Sequence, residues 1–104
     1  MSRTRICSVD DLAEGAVARF DVEGHRIAVA RIGNEWFAIG DECSHADYSL
    51  SEGDVWEDER EIECPKHGST FSLATGEPQT LPATQPVPVY EVRVDGADVW
   101  VTLP

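Results

Sequence analysis

Basic side chains are scarce in this sequence. Its 104 residues contain 8 Lys and Arg against 20 Asp and Glu, which gives a formal net charge of −12 at pH 7. Nucleic acids and anionic membrane surfaces both attract Lys and Arg, so this balance argues against either as a binding partner. An acidic surface favours encounter with a basic protein partner, and solubility alone explains the charge equally well.

Long apolar runs are also missing. No segment approaches the roughly 20 consecutive apolar residues that a membrane-spanning helix requires. The N-terminal residues 1–5 include two arginines and are not followed by the apolar stretch of a secretory signal. We therefore expect a cytoplasmic protein without a membrane segment.

Cysteine is limited to three residues, Cys7, Cys43 and Cys64. A small odd number does not suit a full disulfide framework. In a reducing compartment, a cysteine that stands beside a histidine is more typical of a metal site. Cys7 has no histidine near it in the sequence, and we expect it to be a buried, inert thiol.

Helical patterns are nearly absent. Only Val9–Gly15 suits a short helical turn, with Asp10 as its cap. Elsewhere apolar and polar residues alternate between turn dipeptides, of which Asp95-Gly96 is a strong hairpin signal. Such strand-like segments cover residues 16–22, 26–32, 35–39, 87–94 and 98–103. The sequence predicts a single all-β domain with an antiparallel sandwich or barrel as its base.

Two short motifs in the middle of the chain combine sulfur and imidazole ligands. One is Cys43-Ser44-His45, and the other is Cys64-Pro65-Lys66-His67. The surrounding segment, about 40–75, has weaker periodicity and is expected to be a loop-built subdomain inserted into the β base. Two facing loops would present two thiolates and two imidazoles to one centre.

Three kinds of metal centre fit such donors to different degrees. Zinc accepts two Cys and two His, but its finger form pairs like with like and places the histidines on a helix. A blue copper site needs a weak axial ligand, and the sole methionine is Met1. A Rieske [2Fe–2S] centre takes two Cys on one iron and two His on the other, which matches the mixed pairs directly.

These motifs resemble the two cluster-binding loops of Rieske proteins. The resemblance covers nearly the whole chain, residues 1–104, as one Rieske domain with a cluster-binding subdomain at about 40–75. Leu81-Pro82-Ala83 is similar to the proline-bearing third loop of that family, so a covering loop is expected at about 80–86. The resemblance implies one [2Fe–2S] cluster held by Cys43, His45, Cys64 and His67.

The branch of the family follows from features that the chain lacks. Respiratory and photosynthetic Rieske proteins have an N-terminal membrane helix and an additional disulfide between the two loops, where this chain has Asp47-Tyr48 and Lys66. Oxygenase α subunits add a large domain with mononuclear iron, for which 104 residues leave no room. The chain therefore resembles a stand-alone Rieske ferredoxin, an electron-transfer component rather than an enzyme.

The resemblance also implies partners. Well-understood ferredoxins of this kind pass electrons from a flavin-containing ferredoxin reductase to a terminal ring-hydroxylating oxygenase, and we expect a monomer. Three alternatives remain open from the sequence. They are a Rieske ferredoxin of another pathway, such as iron–sulfur cluster assembly, a structural zinc module, and a small regulatory subunit on the same fold.

The acidic segment before the second motif, several aromatic residues and one histidine also have expected roles. Between Glu52 and Glu63 there are seven acids and one base, and negative charge near the cluster opposes its reduction. Tyr48 is expected either to shield the cluster or simply to pack, and His25 to be a solvent-facing turn residue. Four further aromatic side chains are expected to serve in packing, namely Trp36, Phe37, Trp56 and Trp100.

Overall fold

The structure is a computed structural model and describes residues 2–43, 48–66, 68–80 and 85–103. Nine strands and two short 3₁₀ turns, Val9–Asp11 and Leu50–Glu52, form within these residues. None of the described residues belongs to a helix long and apolar enough to cross a bilayer. The strands are β1 (Ser2–Ser8), β2 (Val17–Val22), β3 (His25–Ile32), β4 (Glu35–Gly40), β5 (Val55–Trp56), β6 (Glu61–Glu63), β7 (Thr70–Ser72), β8 (Val89–Asp95) and β9 (Asp98–Leu103).

Six strands form the base of the molecule. They make one antiparallel sheet in the order β1-β9-β8-β4-β3-β2. The two outer strands, β1 and β2, contact each other, so the sheet curls almost into a closed barrel. The Thr4 hydroxyl on β1 donates to the Glu23 carboxylate in the β2–β3 turn over 2.8 Å. The predicted all-β base is confirmed.

Strand β3 is buried on both faces, so its residues contribute to two separate apolar clusters. Ile27 and Val29 pack into the interior of the curled sheet. Because successive side chains of a strand point to opposite faces, Ala28 and Ala30 lie on the other side, in a second apolar cluster. Their small side chains let the inserted subdomain approach the outer face of the sheet closely.

The inserted subdomain contains a small sheet of its own. Strands β5, β6 and β7 pair in sequence order, and Ile62 lies opposite Phe71. Both side chains are fully buried in the second apolar cluster, together with Leu73. At its far end the subdomain is tied to the base by an ion pair between Arg60 and Glu35. The segment is therefore less irregular than the sequence indicated.

The first 3₁₀ turn begins one residue after its cap, Ser8. The Ser8 hydroxyl accepts from the Asp10 N–H at 3.5 Å, and the Asp11 carboxylate accepts from the Ser8 N–H at 2.8 Å. This reciprocal arrangement is a capping box. The expectation that Asp10 caps the turn is wrong because the serine two residues earlier takes that position.

Two further expectations are wrong. His25 is not a solvent-facing turn residue, because it begins β3 and is half-buried, with its ring edge-on to Tyr90 at 5.8 Å between centroids. Trp56 is not a packing residue, since 42% of its surface is exposed on the outer strand of the small sheet. The other three aromatic residues are half-buried, as a packing role requires.

Candidate metal centre

The first motif lies in a loop that leaves the end of β4. The Cys43 N–H donates to the Tyr48 carbonyl at 2.9 Å, and the Leu50 N–H donates to the Asp41 carbonyl at 2.6 Å. An isolated β-bridge between residues 42 and 49 lies between these two hydrogen bonds. The base of the loop is therefore a short antiparallel ladder. Residues 44–47, which include His45, lie outside the described residues.

Asp41 fixes the base of this loop. Its side chain is completely buried, and Oδ1 accepts a hydrogen bond from the Ser51 N–H at 2.9 Å. Guanidinium nitrogens of Arg19 and Arg26 lie 3.9 Å from Oδ2 and balance its charge. Asp41 thus joins β4 to the residues that follow the loop. The role of Asp41 was not predicted from the sequence, in which its one signal is an acid directly after an apolar strand.

We expect Asp41→Ala to lower the free energy of unfolding by about 1–3 kcal/mol, because the partly buried Ser51 N–H loses its acceptor and Arg19 and Arg26 lose one of their acidic neighbours. Glu42→Ala is the matched control, since its ion pair with Arg26 is exposed and such pairs contribute at most about 1 kcal/mol. Urea unfolding of the cluster-loaded variants measures both values. Equal losses would show that Asp41 has no special role.

The second motif forms a tight turn after β6. The Cys64 N–H donates to the Ser69 carbonyl at 2.7 Å, and the Gly68 N–H donates to the Cys64 carbonyl at 3.0 Å. Gly68 has a φ of +74°, which a residue without a side chain adopts at little cost. The two hydrogen bonds close the turn that begins at Cys64. His67 lies outside the described residues.

The two cysteines lie in one apolar cluster. Cys43 is 4% exposed and Cys64 is 1% exposed, and both pack in the cluster that contains Ile62 and Phe71. The two loops also meet at the surface, where the Lys66 ammonium lies 5.3 Å from the centroid of the Tyr48 ring. The structure therefore places the cysteines of both motifs in the same apolar cluster, although they lie about twenty residues apart in the sequence.

The ends of the expected third loop are anchored beside the second motif. The Thr80 hydroxyl accepts from the Thr70 N–H at 2.9 Å. At the other end, the Val87 N–H donates to the Gly76 carbonyl at 2.9 Å, and the Val87 side chain is buried in the cluster with the two cysteines. Residues 81–84, which include the Leu81-Pro82-Ala83 motif, lie outside the described residues.

The third cysteine stands apart from these loops. Cys7 lies on β1 of the base sheet, opposite Val99 of β9. It is 5% exposed, and burial raises the pKa of its thiol above the ordinary value. A thiol with a raised pKa keeps its proton at neutral pH and is a poor nucleophile and metal ligand. The expected buried position of Cys7 is confirmed.

The donors present suit an iron–sulfur cluster. Thiolates are the ligands that such clusters take, and each loop supplies one from a buried position. The apolar side chains around Cys43 and Cys64 keep water away from the sulfur atoms. Charges near such a shielded site therefore have a larger effect on its reduction potential. A backbone hydrogen bond from each cysteine, Cys43 to Tyr48 and Cys64 to Ser69, fixes its place in the loop.

Comparison with known proteins identifies the class. The family model for the Rieske [2Fe-2S] domain matches residues 2–91, and the chain belongs to this family. The 3-phenylpropionate/cinnamic acid dioxygenase ferredoxin subunit of Escherichia coli (strain K12) is 43% identical over all 104 residues, which is 96% of its own length. The ferredoxin subunit of the same name from Shigella boydii serotype 4 (strain Sb227) has the same identity and coverage.

Solved structures agree. The ferredoxin of carbazole 1,9a-dioxygenase from Nocardioides aromaticivorans IC177 superposes with a TM-score of 0.94 at 39% identity, over 97% of both chains. A chain in the complex of reduced oxygenase and oxidized ferredoxin in carbazole 1,9a-dioxygenase gives a TM-score of 0.88 at 38% identity, over 95% of this chain and 91% of that one.

These findings confirm the cofactor and the general role. The protein carries a [2Fe–2S] cluster, and it is an electron carrier of the ferredoxin type rather than an enzyme. The zinc alternative is thereby set aside. In carbazole 1,9a-dioxygenase the ferredoxin forms a complex with the terminal oxygenase.

Proposed function

We propose that Cys43 and Cys64 bind one iron of the cluster and that His45 and His67 bind the other. The observation that carries this proposal is the packing of the two cysteines, each at the base of a tight loop, in one apolar cluster. In a Rieske centre each loop contributes one thiolate and one imidazole. The whole chain, residues 1–104, is then a single Rieske domain, with a cluster-binding subdomain at about 40–75 and a covering loop at about 80–86.

The proposed physiological role is to pass single electrons from a flavin-containing reductase to a terminal ring-hydroxylating oxygenase. The names of the relatives support this role, because they are ferredoxin subunits of dioxygenases that act on aromatic compounds. The sequence has no phosphate-binding glycine pattern of the kind that binds flavin or nicotinamide nucleotides. Electrons therefore come from a partner protein. We further propose that the protein acts as a monomer in the cytoplasm.

The protein's own residues position and insulate the site. When bound, the cluster accepts one electron and gives it up again without making or breaking a substrate bond. The hydrogen bonds of Cys43 to Tyr48 and of Cys64 to Ser69 keep each loop in one conformation, so little rearrangement accompanies a change of charge. The net charge of −12 favours a partner surface that carries Lys and Arg.

Reconstitution tests the proposed role. The purified protein is combined with the flavin reductase and terminal oxygenase of an aromatic-ring dioxygenase system from which the ferredoxin is omitted. We expect NADH oxidation and product formation to depend on the added protein and to occur in a fixed ratio. If the reductase reduces the protein but the oxygenase does not reoxidise it, the protein serves another pathway, such as iron–sulfur cluster assembly.

We expect a reduction potential near the bottom of the Rieske range, at about −150 mV. Seven acids against one base between Glu52 and Glu63 oppose the addition of an electron. The fully buried Phe71 stands where high-potential relatives of the family have a tyrosine that donates a hydrogen bond. Redox titration that gives a clearly positive potential would contradict this prediction.

Phe71→Tyr provides the matched variant. Its hydroxyl enters the apolar cluster that contains both cysteines, and a new hydrogen bond to sulfur stabilises the reduced state. A net contribution of about 0.5–1.5 kcal/mol for the bond corresponds to a rise of about 20–65 mV, at about 59 mV per tenfold change for one electron. A lower or unchanged potential in this variant would remove Phe71 from the explanation.

A further inference from the structure

One contact joins the two cluster-binding loops through their side chains at the surface. The Lys66 ammonium lies over the ring of Tyr48, 5.3 Å from its centroid. Cations within about 6 Å of an aromatic centroid are attracted by the negative face of the ring. Tyr48 closes the first loop through its carbonyl, and Lys66 lies within the turn of the second loop. The backbone hydrogen bonds close each loop on itself, whereas this side-chain contact links one loop to the other.

The lysine in this contact is unusual within the chain. Lys66 is the only lysine among the 104 residues, since the other seven basic residues are arginines. Both Lys66 and Tyr48 are exposed, with 41% of the tyrosine surface accessible. Within the described part of the chain, Lys66 forms no ion pair with a carboxylate. Among the described residues, the Tyr48 ring is therefore the group that orients the Lys66 ammonium.

The charge of Lys66 opposes that of its surroundings. The protein as a whole has a net charge of −12, and seven acids lie between residues 52 and 63, just before the second loop. Lys66 directly precedes His67 and stands two positions after Cys64. A positive charge held at this point favours the reduced, more negative state of the cluster. The same charge on a freely moving side chain is screened by solvent and has a smaller effect.

We propose that Tyr48 and Lys66 form a cation–π bridge that holds the two cluster loops together and fixes one positive charge beside the cluster. Both residues are positioning residues, because they act on the cluster through loop placement and charge. The proposal rests on the ligand set proposed above. It assigns to this pair the joining of the two loops, which respiratory relatives achieve with a disulfide in the same region.

A double-mutant cycle on the reduction potential tests the bridge. The variants are Lys66→Met, Tyr48→Leu and the double variant, and Tyr48→Phe is the control that keeps the aromatic face. We expect Lys66→Met to reduce the equilibrium constant for reduction about two- to fivefold, which is a fall of about 20–40 mV at about 59 mV per tenfold change. Tyr48→Leu lowers the potential by part of that amount, because the ammonium moves into solvent.

The coupling between the two positions is the decisive result. In the Lys66→Met background, Tyr48→Leu should lower the potential no further. Tyr48→Phe with Lys66 intact should have the potential of the original protein. Independent, additive shifts, or no shift in Tyr48→Leu, would overturn the proposal. A purely structural role for Tyr48 predicts the same effect in both backgrounds.

Cluster loss in the presence of an iron chelator gives a second readout. An exposed cation–π contact stabilises by an amount equivalent to about a two- to fivefold change in an equilibrium constant. We therefore expect release of iron to be about two- to fivefold faster in Lys66→Met, in Tyr48→Leu and in the double variant alike. Release that accelerates multiplicatively in the double variant would show that the two side chains act separately.

Chemical modification provides the test if a substitution prevents folding. Acetylation of the folded, cluster-loaded protein removes the charge of Lys66, whereas reductive dimethylation keeps it. We expect acetylation to lower the potential and dimethylation to leave it within the error of the measurement. Lys66→Met treated in the same way corrects for modification of the N-terminal amine. Equal effects of both reagents would overturn the proposal.

The outcome separates this proposal from the ligand assignment. A preparation that shows the Rieske absorption and electron paramagnetic resonance spectra but no coupling between Tyr48 and Lys66 refutes the bridge alone. A preparation without those spectra after anaerobic reconstitution refutes the ligand set itself.

Discussion

Replacement of Cys64 by serine is expected to abolish the visible absorption of the cluster and its electron paramagnetic resonance signal. In the proposed ligand set Cys64 supplies one of two thiolates, and the residue is 1% exposed inside the apolar cluster. A serine hydroxyl at this position keeps its proton at neutral pH and is a poor ligand for iron. His67→Ala is expected to have the same effect, because one of the two imidazoles is lost. Iron and acid-labile sulfide per chain measure both results.

Cys7→Ser is the matched control for this experiment. Cys7 is also buried, but it lies on β1 of the base sheet and keeps its proton, since burial raises the pKa of its thiol. We expect this variant to retain full iron and sulfide content. If Cys7→Ser loses the cluster while Cys64→Ser retains it at full iron content, the assignment of the thiolate ligands is wrong.

Gly53→Ala is expected to destabilise the protein by about 3 kcal/mol or more, the upper range for inserting a methyl group into a closely packed region. A Cβ at residue 53 would lie 1.6 Å from the carbonyl oxygen of Glu63. Glu63 directly precedes Cys64, and its N–H donates to the Asp54 carbonyl at 2.8 Å. The added methyl group must therefore displace the strand that leads into the second cluster loop, and we expect faster cluster loss as well.

Gly24→Ala separates this clash from the ordinary cost of replacing a glycine. Gly24 has a φ of +84° with open space around the Cβ position, so its replacement costs only the strain of a left-handed backbone, about 1 kcal/mol. Thermal or urea unfolding of the cluster-loaded variants compares the two. Similar losses of stability in both would show that the backbone contact between residues 53 and 63 is unimportant.

Most of the base sheet was predictable because its strands carry a local signal. Strands β2, β3, β4 and β9 begin and end within one residue of the alternating segments, and β8 is displaced by only one or two residues. Turn dipeptides such as Asp95-Gly96 fixed where neighbouring strands separate. For β1 the sequence indicated only a strand start at Cys7, because Ser2–Ser8 lacks a clear alternation and is held in place by pairing with β9.

The small sheet of the inserted subdomain was not predictable in the same way. Its strands have two or three residues each, which is too short for a period of two to stand out. They form because Ile62 and Phe71 pack against the alanine face of β3, a contact between segments far apart in the sequence. The expectation for Trp56 was wrong for a related reason, since nothing local shows that β5 is an outer strand.

The candidate metal centre likewise has a part that is predictable from local sequence and a part that depends on the folded chain. The proposed ligands could be predicted from the two motifs, because Cys-x-His and Cys-x-x-His are local patterns of residue types with known chemistry. Asp41 and Gly53 escaped notice because their roles depend on Arg19 and Glu63, to which only the folded chain brings them. The contact between Tyr48 and Lys66 is of the same kind, although both residues were noted for standing where relatives have a disulfide.

The most direct test of the central claim is pulsed electron paramagnetic resonance on the reduced protein, prepared with natural and with ¹⁵N-labelled histidine. We predict couplings from two histidine nitrogens bound to iron, both of which change to the ¹⁵N pattern on labelling, in protein with two irons and two sulfides per chain. A reduced cluster that shows no coupled histidine nitrogen, or only one, would contradict coordination by His45 and His67 together with Cys43 and Cys64.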